Sequence, residues 1–288
     1  MPSVLRRVLV PATVSLIVAA GAVLASPASA SSVWPSAGQA AYRLGSGPLH
    51  VHNQHVAPIA SMAKVMTAYV VLRAHPLPPK RGGFTMTVTQ RDVDDYRLRV
   101  SRGESTVPVR LGEKLTERQA LAALLLPSAN NIAIMLARRT LGSVARFVTR
   151  MNRSAHDHGM RHTRYTDPSG FDAATRSQPG DQLVIMRLAM RLPAFRGFVA
   201  RSSYPVPVAG TVYNTDTLLG TDGFIGVKTG SMDASGGCFM FVSRRIVKGH
   251  VVELSGVVMG QPGNDLIRAG LDAARRLVDR VAPHAAAH

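Results

Sequence analysis

Three short runs in this chain bring hydroxyl, amine and amide groups to spacings that suit nucleophilic chemistry. They are Ser61-Met62-Ala63-Lys64, Ser128-Ala129-Asn130 and Lys228-Thr229-Gly230. The first opens a helical pattern: Met62, Val65, Met66, Tyr69 and Val70 recur at helical spacing and form an apolar stripe. Lys64 lies three residues beyond Ser61, on the same helix face, so its amine can reach the hydroxyl. Read as a helix cap, Ser61 would simply accept a bond from an early backbone N–H. Lys64 is then misplaced, because the positive helix start favours an acid at that position. The same positive terminus, together with burial, favours a neutral amine, which can act as a base towards the Ser61 hydroxyl.

The other two runs supply what such a pair needs. Ser128-Ala129-Asn130 falls on a tight connection between two helices and would present a hydroxyl and an amide from a rigid base. Lys228-Thr229-Gly230 ends a strand-like run that follows Gly223. A strand there offers a cation, a hydroxyl and a row of backbone N–H groups, and Gly230 lets a ligand approach the backbone. Each run alone is common. Their order, on a helix start, an inter-helix loop and a strand, is the informative feature.

The elements that must position these groups follow from periodicity and turn residues. Residues 39–44 and 49–52 read as strands leading into the Ser61 helix, which must end by Pro76. Residues 84–89 and 105–110 alternate and read as strands around a polar segment. Thr116-Glu117-Arg118-Gln119 is a capping box that opens a helix running to Pro127. Further helices are expected over 131–140 and 143–158, the latter stopped by Gly159. Residues 165–180 read as loop, and 181–190 as a helix closed by Pro193. Three strand-like runs follow, at 224–229, 238–244 and 251–259, and a last helix at 265–281. The fold expected is α+β: an antiparallel sheet built from both chain ends, flanked by helices, with an inserted helical subdomain.

Composition sets the class. The chain has 288 residues, 46% of them hydrophobic, enough for a sizeable core. Arg6 and Arg7, the apolar run to Leu24 and Ala28-Ser29-Ala30 read as a signal peptide over residues 1–30, with the working domain over 31–288. The alternative for that leader is a retained membrane anchor. Lys and Arg number 34 against 17 acids, a net charge of +17. With the arginines scattered and export expected, nucleic acid is not the expected partner; an anionic cell wall is. Cys238 is the only cysteine, which excludes an intramolecular disulfide and cysteine-rich zinc clusters.

Taken together, Ser-x-x-Lys, Ser-x-Asn and Lys-Thr-Gly resemble the signature of penicillin-binding proteins and serine β-lactamases. The surrounding residues, and Asp167-Pro168-Ser169-Gly170-Phe171-Asp172 between the second and third motifs, are similar to those of low-molecular-weight D-alanyl-D-alanine carboxypeptidases. The resemblance implies the roles. Ser61 would be the nucleophile, Lys64 its general base, and Ser128 the relay of a proton to the leaving amine. Asn130 would hold the substrate's peptide, Lys228 the field around Ser128, and Thr229 the terminal carboxylate. The backbone N–H groups of Ser61 and Ser231 would form the oxyanion hole beside Gly230. An arginine often pairs with the carboxylate; Arg268 is the candidate here, with Arg244 and Arg245 behind it. The implied partners are peptidoglycan stem peptides ending in D-Ala-D-Ala and β-lactam antibiotics, and no cofactor is implied. Asn131 departs from the aspartate of many relatives, and a local structural change is expected there. Neither a second C-terminal β domain nor an anchoring helix is expected after the last motif.

Three competing readings stand beside this one. A serine β-lactamase would need a carboxylate to activate its deacylating water; no glutamate lies between Asn130 and Lys228, and Asp167 and Asp172, which lie in the loop there, fit the carboxypeptidase pattern. His156, Asp157, His158 and His162 have spacings that can bind zinc. An inactive wall-binding protein on the same scaffold is the third.

Overall fold

The computed structural model describes residues 32–283, and the leader expected over 1–30 lies outside them. The described chain opens with β1 (Gln39–Leu44), β2 (His50–His52), β3 (Ala57–Pro58), a 3₁₀ turn at Ala60–Met62 and α1 (Ala63–Ala74). Then come β4 (Thr85–Thr87), α2 (Gln90–Ser101), β5 (Lys114–Thr116), α3 (Glu117–Leu125), α4 (Asn130–Leu141) and α5 (Val144–Asp157). β6 (Arg176–Ser177), α6 (Pro179–Met190) and α7 (Pro193–Val199) precede the hairpin of β7 (Ser203–Val206) and β8 (Gly210–Tyr213). The last elements are β9 (Phe224–Met232), β10 (Gly236–Val247), β11 (His250–Gln261) and α8 (Leu266–Val281).

The main sheet has five strands in the order β2-β1-β11-β10-β9, all paired antiparallel. It is built from both ends of the described chain, as the sequence implies, with the helical part inserted between β2 and β9. Alternation along the strands decides which face each residue covers. Ala40, Tyr42, Phe239, Phe241, Leu254 and Val258 pack with Leu271, Leu277 and Val278 of α8. Their neighbours Ala41, Met240, Val242, Val257 and Met259 join Met62, Val65 and Met66 in the larger core. The sheet is therefore buried on both faces.

α1 is more deeply set than a striped helix. Every residue from Ala63 to Leu72 is buried, Lys64 included. A helix that is apolar nearly all round belongs in the middle of a domain. Each of its fully buried Val and Met side chains contributes about 1.5–3 kcal/mol, which fixes the frame around Lys64.

Several local expectations need correction. Residues 105–110 form no strand; β4 pairs instead with β5, Met86 opposite Leu115. The polar segment between is helix α2, opened by a capping box between Thr89 and Asp92. Only Asp92 and Val93 of α2 are buried, so hydrophobic periodicity gave no signal for it. Pro193 does stop α6 but also opens α7 at its first turn, a position where the missing N–H of proline costs nothing. The hairpin of β7 and β8 was not anticipated. The capping box at Thr116 is present as read, with Thr116 N donating to Gln119 Oε1 at 2.9 Å.

Candidate active site

The 3₁₀ turn at Ala60–Met62 delivers Ser61 to the start of α1, and Ser61 does not cap the helix with its side chain. Its hydroxyl faces Lys64 instead. Lys64 Nζ lies 2.7 Å from Ser61 Oγ and donates to the Ser169 carbonyl at 2.9 Å. A neutral amine has two hydrogens and one lone pair. With one hydrogen on Ser169, the lone pair remains for the Ser61 hydroxyl. Lys64 is wholly buried, and burial is the main reason that its amine is held well below the ordinary lysine range; Lys228 pushes the same way. Asp167 and Glu104 oppose the shift, and Arg99 adds to it.

The loop before β6 supplies the floor. The Asp167 carboxylate accepts from the backbone N–H of Ser169 at 3.0 Å and of Gly170 at 2.9 Å, and from Thr175 Oγ1 at 2.7 Å. Thr67 Oγ1 of α1 donates to the Pro168 carbonyl at 2.6 Å. Gly170, at φ +79°, sits so close that a Cβ there would meet the Ala60 carbonyl oxygen at 1.8 Å. This loop thus clamps the 3₁₀ turn and points Ser169 at Lys64. Sequence reading placed the loop in the pattern but missed that contact, which joins residues 105 positions apart.

Ser128 occupies the connection between α3 and α4 in the left-handed region, φ +68°, which non-glycine residues rarely adopt. Its Oγ is buried without a hydrogen-bond partner. Asn130 N donates to the Ser105 carbonyl at 2.8 Å, and its Nδ2 donates to Glu104 Oε2 at 2.8 Å. Its Oδ1 has no partner. Asn131 is buried and takes both backbone groups of Val107: Nδ2 donates to the carbonyl at 2.9 Å, and Oδ1 accepts the N–H at 3.2 Å. A carboxylate could accept but not donate there. The Asn131 amide thus partners Val107, within residues 105–110 where a strand was expected.

β9 closes the third side. Lys228 is fully buried, and burial lowers its amine to about 7 against the opposing pull of Asp216. Thr229 Oγ1 lies 2.5 Å from Thr215 Oγ1, and Thr215 N donates to the Leu126 carbonyl at 3.2 Å, which ties β9 to the end of α3. A Cβ on Gly230 would stand 3.2 Å from Ser61 N and 3.3 Å from the Ile59 carbonyl oxygen, so a side chain there would press the strand and the turn apart by a few tenths of an ångström. Ser231 follows, opposite Gly237 of β10.

The structure thus brings Lys64 and Gly230 to Ser61, sets Lys228 within electrostatic reach of Lys64, and links Asn130 to the same surroundings through Glu104, with Ser128 two residues before Asn130. Arg268 stands apart in its contacts: its side chain is 78% exposed on α8 and lies 3.7 Å from Asp272. Arg244 pairs with Glu253 at 2.9 Å, and Arg245 is buried against the Asp222 and Ala282 carbonyls. Phe239 is the residue opposite Thr229, and Arg244 lies five residues further along β10, about 17 Å at strand rise. Both arginines are therefore too distant to meet a carboxylate at Thr229. Of the histidines, His158 is engaged by the Ser154 carbonyl and Tyr69, and His162 by Gln178. Glu104 is the site-adjacent residue that sequence reading missed, since it belongs to none of the three motifs.

A hydroxyl touching a buried amine, with a second buried cation acting on that amine and a carboxylate that acts on it also bonded to the Asn130 amide, is an arrangement for nucleophilic acyl transfer. Comparison with known proteins agrees. The family model for D-alanyl-D-alanine carboxypeptidases, Peptidase S11, matches residues 49–263. A D-alanyl-D-alanine carboxypeptidase of Streptomyces sp. strain K15 is 31% identical over 64% of this chain and 67% of its own length. One of Mycobacterium tuberculosis is 35% identical over 67% of this chain and 65% of its own. The solved structure of the Streptomyces K15 DD-transpeptidase superposes with a TM-score of 0.73 at 26% identity, covering 86% of this chain and 98% of that one. The sheet with its flanking helices is the β-lactamase/transpeptidase fold, and the chain belongs to the D-alanyl-D-alanine carboxypeptidase family of serine peptidases.

Proposed function

We propose that the protein is a serine-type D-alanyl-D-alanine carboxypeptidase that removes the terminal D-Ala from peptidoglycan stem peptides and is acylated by penicillins at the same serine. The observation that carries this reading is the 2.7 Å contact between a fully buried Lys64 amine and Ser61. In the first step Lys64 takes the Ser61 proton as Oγ attacks the carbonyl of the penultimate D-Ala. The backbone N–H groups of Ser61 and Ser231 stabilise the oxyanion. Asn130 holds the substrate's peptide group and Thr229 its terminal carboxylate. Ser128, within the field of Lys228, passes the proton to the departing amine, and free D-Ala leaves. Water then releases the shortened peptide from Ser61. Arg268 remains the candidate for a second contact with the carboxylate.

The two loop carboxylates weighed for the competing β-lactamase chemistry are both engaged. Asp167 is occupied by backbone N–H groups, and Asp172 by Thr166 Oγ1 and the N–H of Ala174. A stem pentapeptide incubated with the protein is expected to yield tetrapeptide and free D-Ala by mass spectrometry. An unchanged pentapeptide would count against the proposal.

We further propose that the protein is exported and held at the cell wall by charge. The leader pattern and the net charge of +17 support this, as does a depression of about 370 Å³ lined by Arg187, Arg191, Arg196 and Arg244 with Glu253 as its acid. Among the described residues no helix is long and apolar enough to cross a membrane. Surface electrostatic attachment weakens as salt shortens the screening length. Washing envelopes with about 1 M salt is therefore expected to release the protein with its N-terminus near Ser31. Release by detergent alone, with Met1 retained, would show an anchor instead.

A further inference from the structure

Glu104 is a buried carboxylate without a place in the three motifs. Its side chain is 0% exposed. Oε2 accepts from Arg99 Nη1 at 2.6 Å and from Asn130 Nδ2 at 2.8 Å, while Oε1 has no partner. Arg99 is itself held by both oxygens of Asp95, one turn earlier on α2, at 2.8 and 3.2 Å. The chain turns back at Gly103, φ +67°, and Glu104 N donates to the Arg99 carbonyl at 3.0 Å. The next residue, Ser105, accepts the Asn130 N–H. Two consecutive residues thus grip Asn130, one by side chain and one by backbone.

We propose that Glu104, clamped by Arg99, is a positioning residue that fixes the plane and the sense of the Asn130 carboxamide. A carboxylate accepts hydrogen bonds and donates none, so it forces the amide nitrogen of Asn130 to face it. The sense of the amide is then fixed, and with it the second Nδ2 hydrogen that is offered to the peptide group of the substrate. A neutral partner at position 104 would accept either sense of the amide. The pairing with Arg99 makes this bond charge-assisted and offsets the burial of the carboxylate. This inference rests on the proposed carboxypeptidase reading for its substrate, but not for the clamp itself.

The position also puts charge near Lys64. The groups acting on that amine are Lys228 from β9, Asp167 from the loop before β6, Arg99 from α2 and Glu104. Glu104 raises the amine and Arg99 lowers it, so losing the carboxylate moves Lys64 further down. A merely structural residue would leave that titration unchanged.

The test is the second-order rate of acylation by a fluorescent penicillin, measured across pH for wild type, Glu104→Ala and Glu104→Gln, with melting curves to establish folding. Glu104→Ala is expected to lose about 10- to 100-fold, the scale for misplacing a group that orients substrate. Glu104→Gln keeps an acceptor for Asn130 and is expected to lose less, with the rising limb of its profile moved to lower pH. The side-chain amide proton signals of Asn130, assigned by their loss in Asn130→Asp, are expected to shift in Glu104→Ala. Folded variants with wild-type rates, an unmoved limb and unchanged amide signals overturn the proposal. If Glu104→Ala does not fold, unchanged Asn130 amide signals together with a wild-type rate in Glu104→Gln are sufficient to do so. A wild type that is not labelled at all counts against the carboxypeptidase reading, and the amide signals then still decide on the clamp.

Discussion

Ser61→Ala is expected to abolish covalent labelling by a fluorescent penicillin and release of D-Ala, while the protein stays folded. The Ser61 hydroxyl has one side-chain partner, Lys64, and the helix beyond it is anchored by its own buried residues. Removing the oxygen leaves Lys64 bonded to the Ser169 carbonyl. The lost hydrogen bond is worth about 1 kcal/mol, so the melting temperature should move by only a few degrees. The chemical loss is total because, among the described residues, the other motif hydroxyl touches no amine: Ser128 Oγ has no partner. Residual labelling in a folded Ser61→Ala protein would move the nucleophile elsewhere, with Ser128 the first place to look.

Lys64→Ala should lower acylation by roughly 10²-fold or more, the usual effect of losing a positioned base. The pH profiles separate its role from that of Lys228. Lys64 is useful when neutral, so the wild-type rate rises with pH through its depressed titration. Lys228 is useful when charged, and its amine is lowered to about 7, so the rate falls as pH passes through that value. Lys64→Ala should lose the rising limb and climb instead with hydroxide, without a plateau. Lys228→Gln removes a charge that holds Lys64 down. Its rising limb should therefore move to higher pH, and the falling limb near 7 should disappear. A wild-type profile in Lys64→Ala would mean that another group is the base.

Much of this site was legible because its parts are local. Ser61 and Lys64 lie one turn apart, Ser128 and Asn130 share one connection, and Lys228 to Ser231 follow one strand. Helical and strand periods placed each run on the right kind of element, and strands at both ends of the chain pointed to a sheet built from both, though not to its strand order. What was hidden depends on long-range contacts. Ser169 reaches Lys64 through a loop whose order comes from Asp167 and a close approach to Ala60. Glu104 reaches Asn130 across 26 positions, from the end of a helix with too few apolar residues to be seen. Residues 105–110 alternate like a strand, yet Val107 bonds to the Asn131 side chain and not to a neighbouring strand. Alternation reports which residues are buried, not what their backbone pairs with.

The central claim is that Ser61 is the acylated nucleophile. It is tested most directly by treating the wild-type protein with penicillin, digesting the adduct and sequencing the modified peptide by mass spectrometry. The account predicts one penicilloyl group per chain, carried by Ser61 in the segment Ile59-Ala60-Ser61-Met62-Ala63-Lys64. An adduct on Ser128 or on any other residue, or no adduct in folded protein, would contradict it.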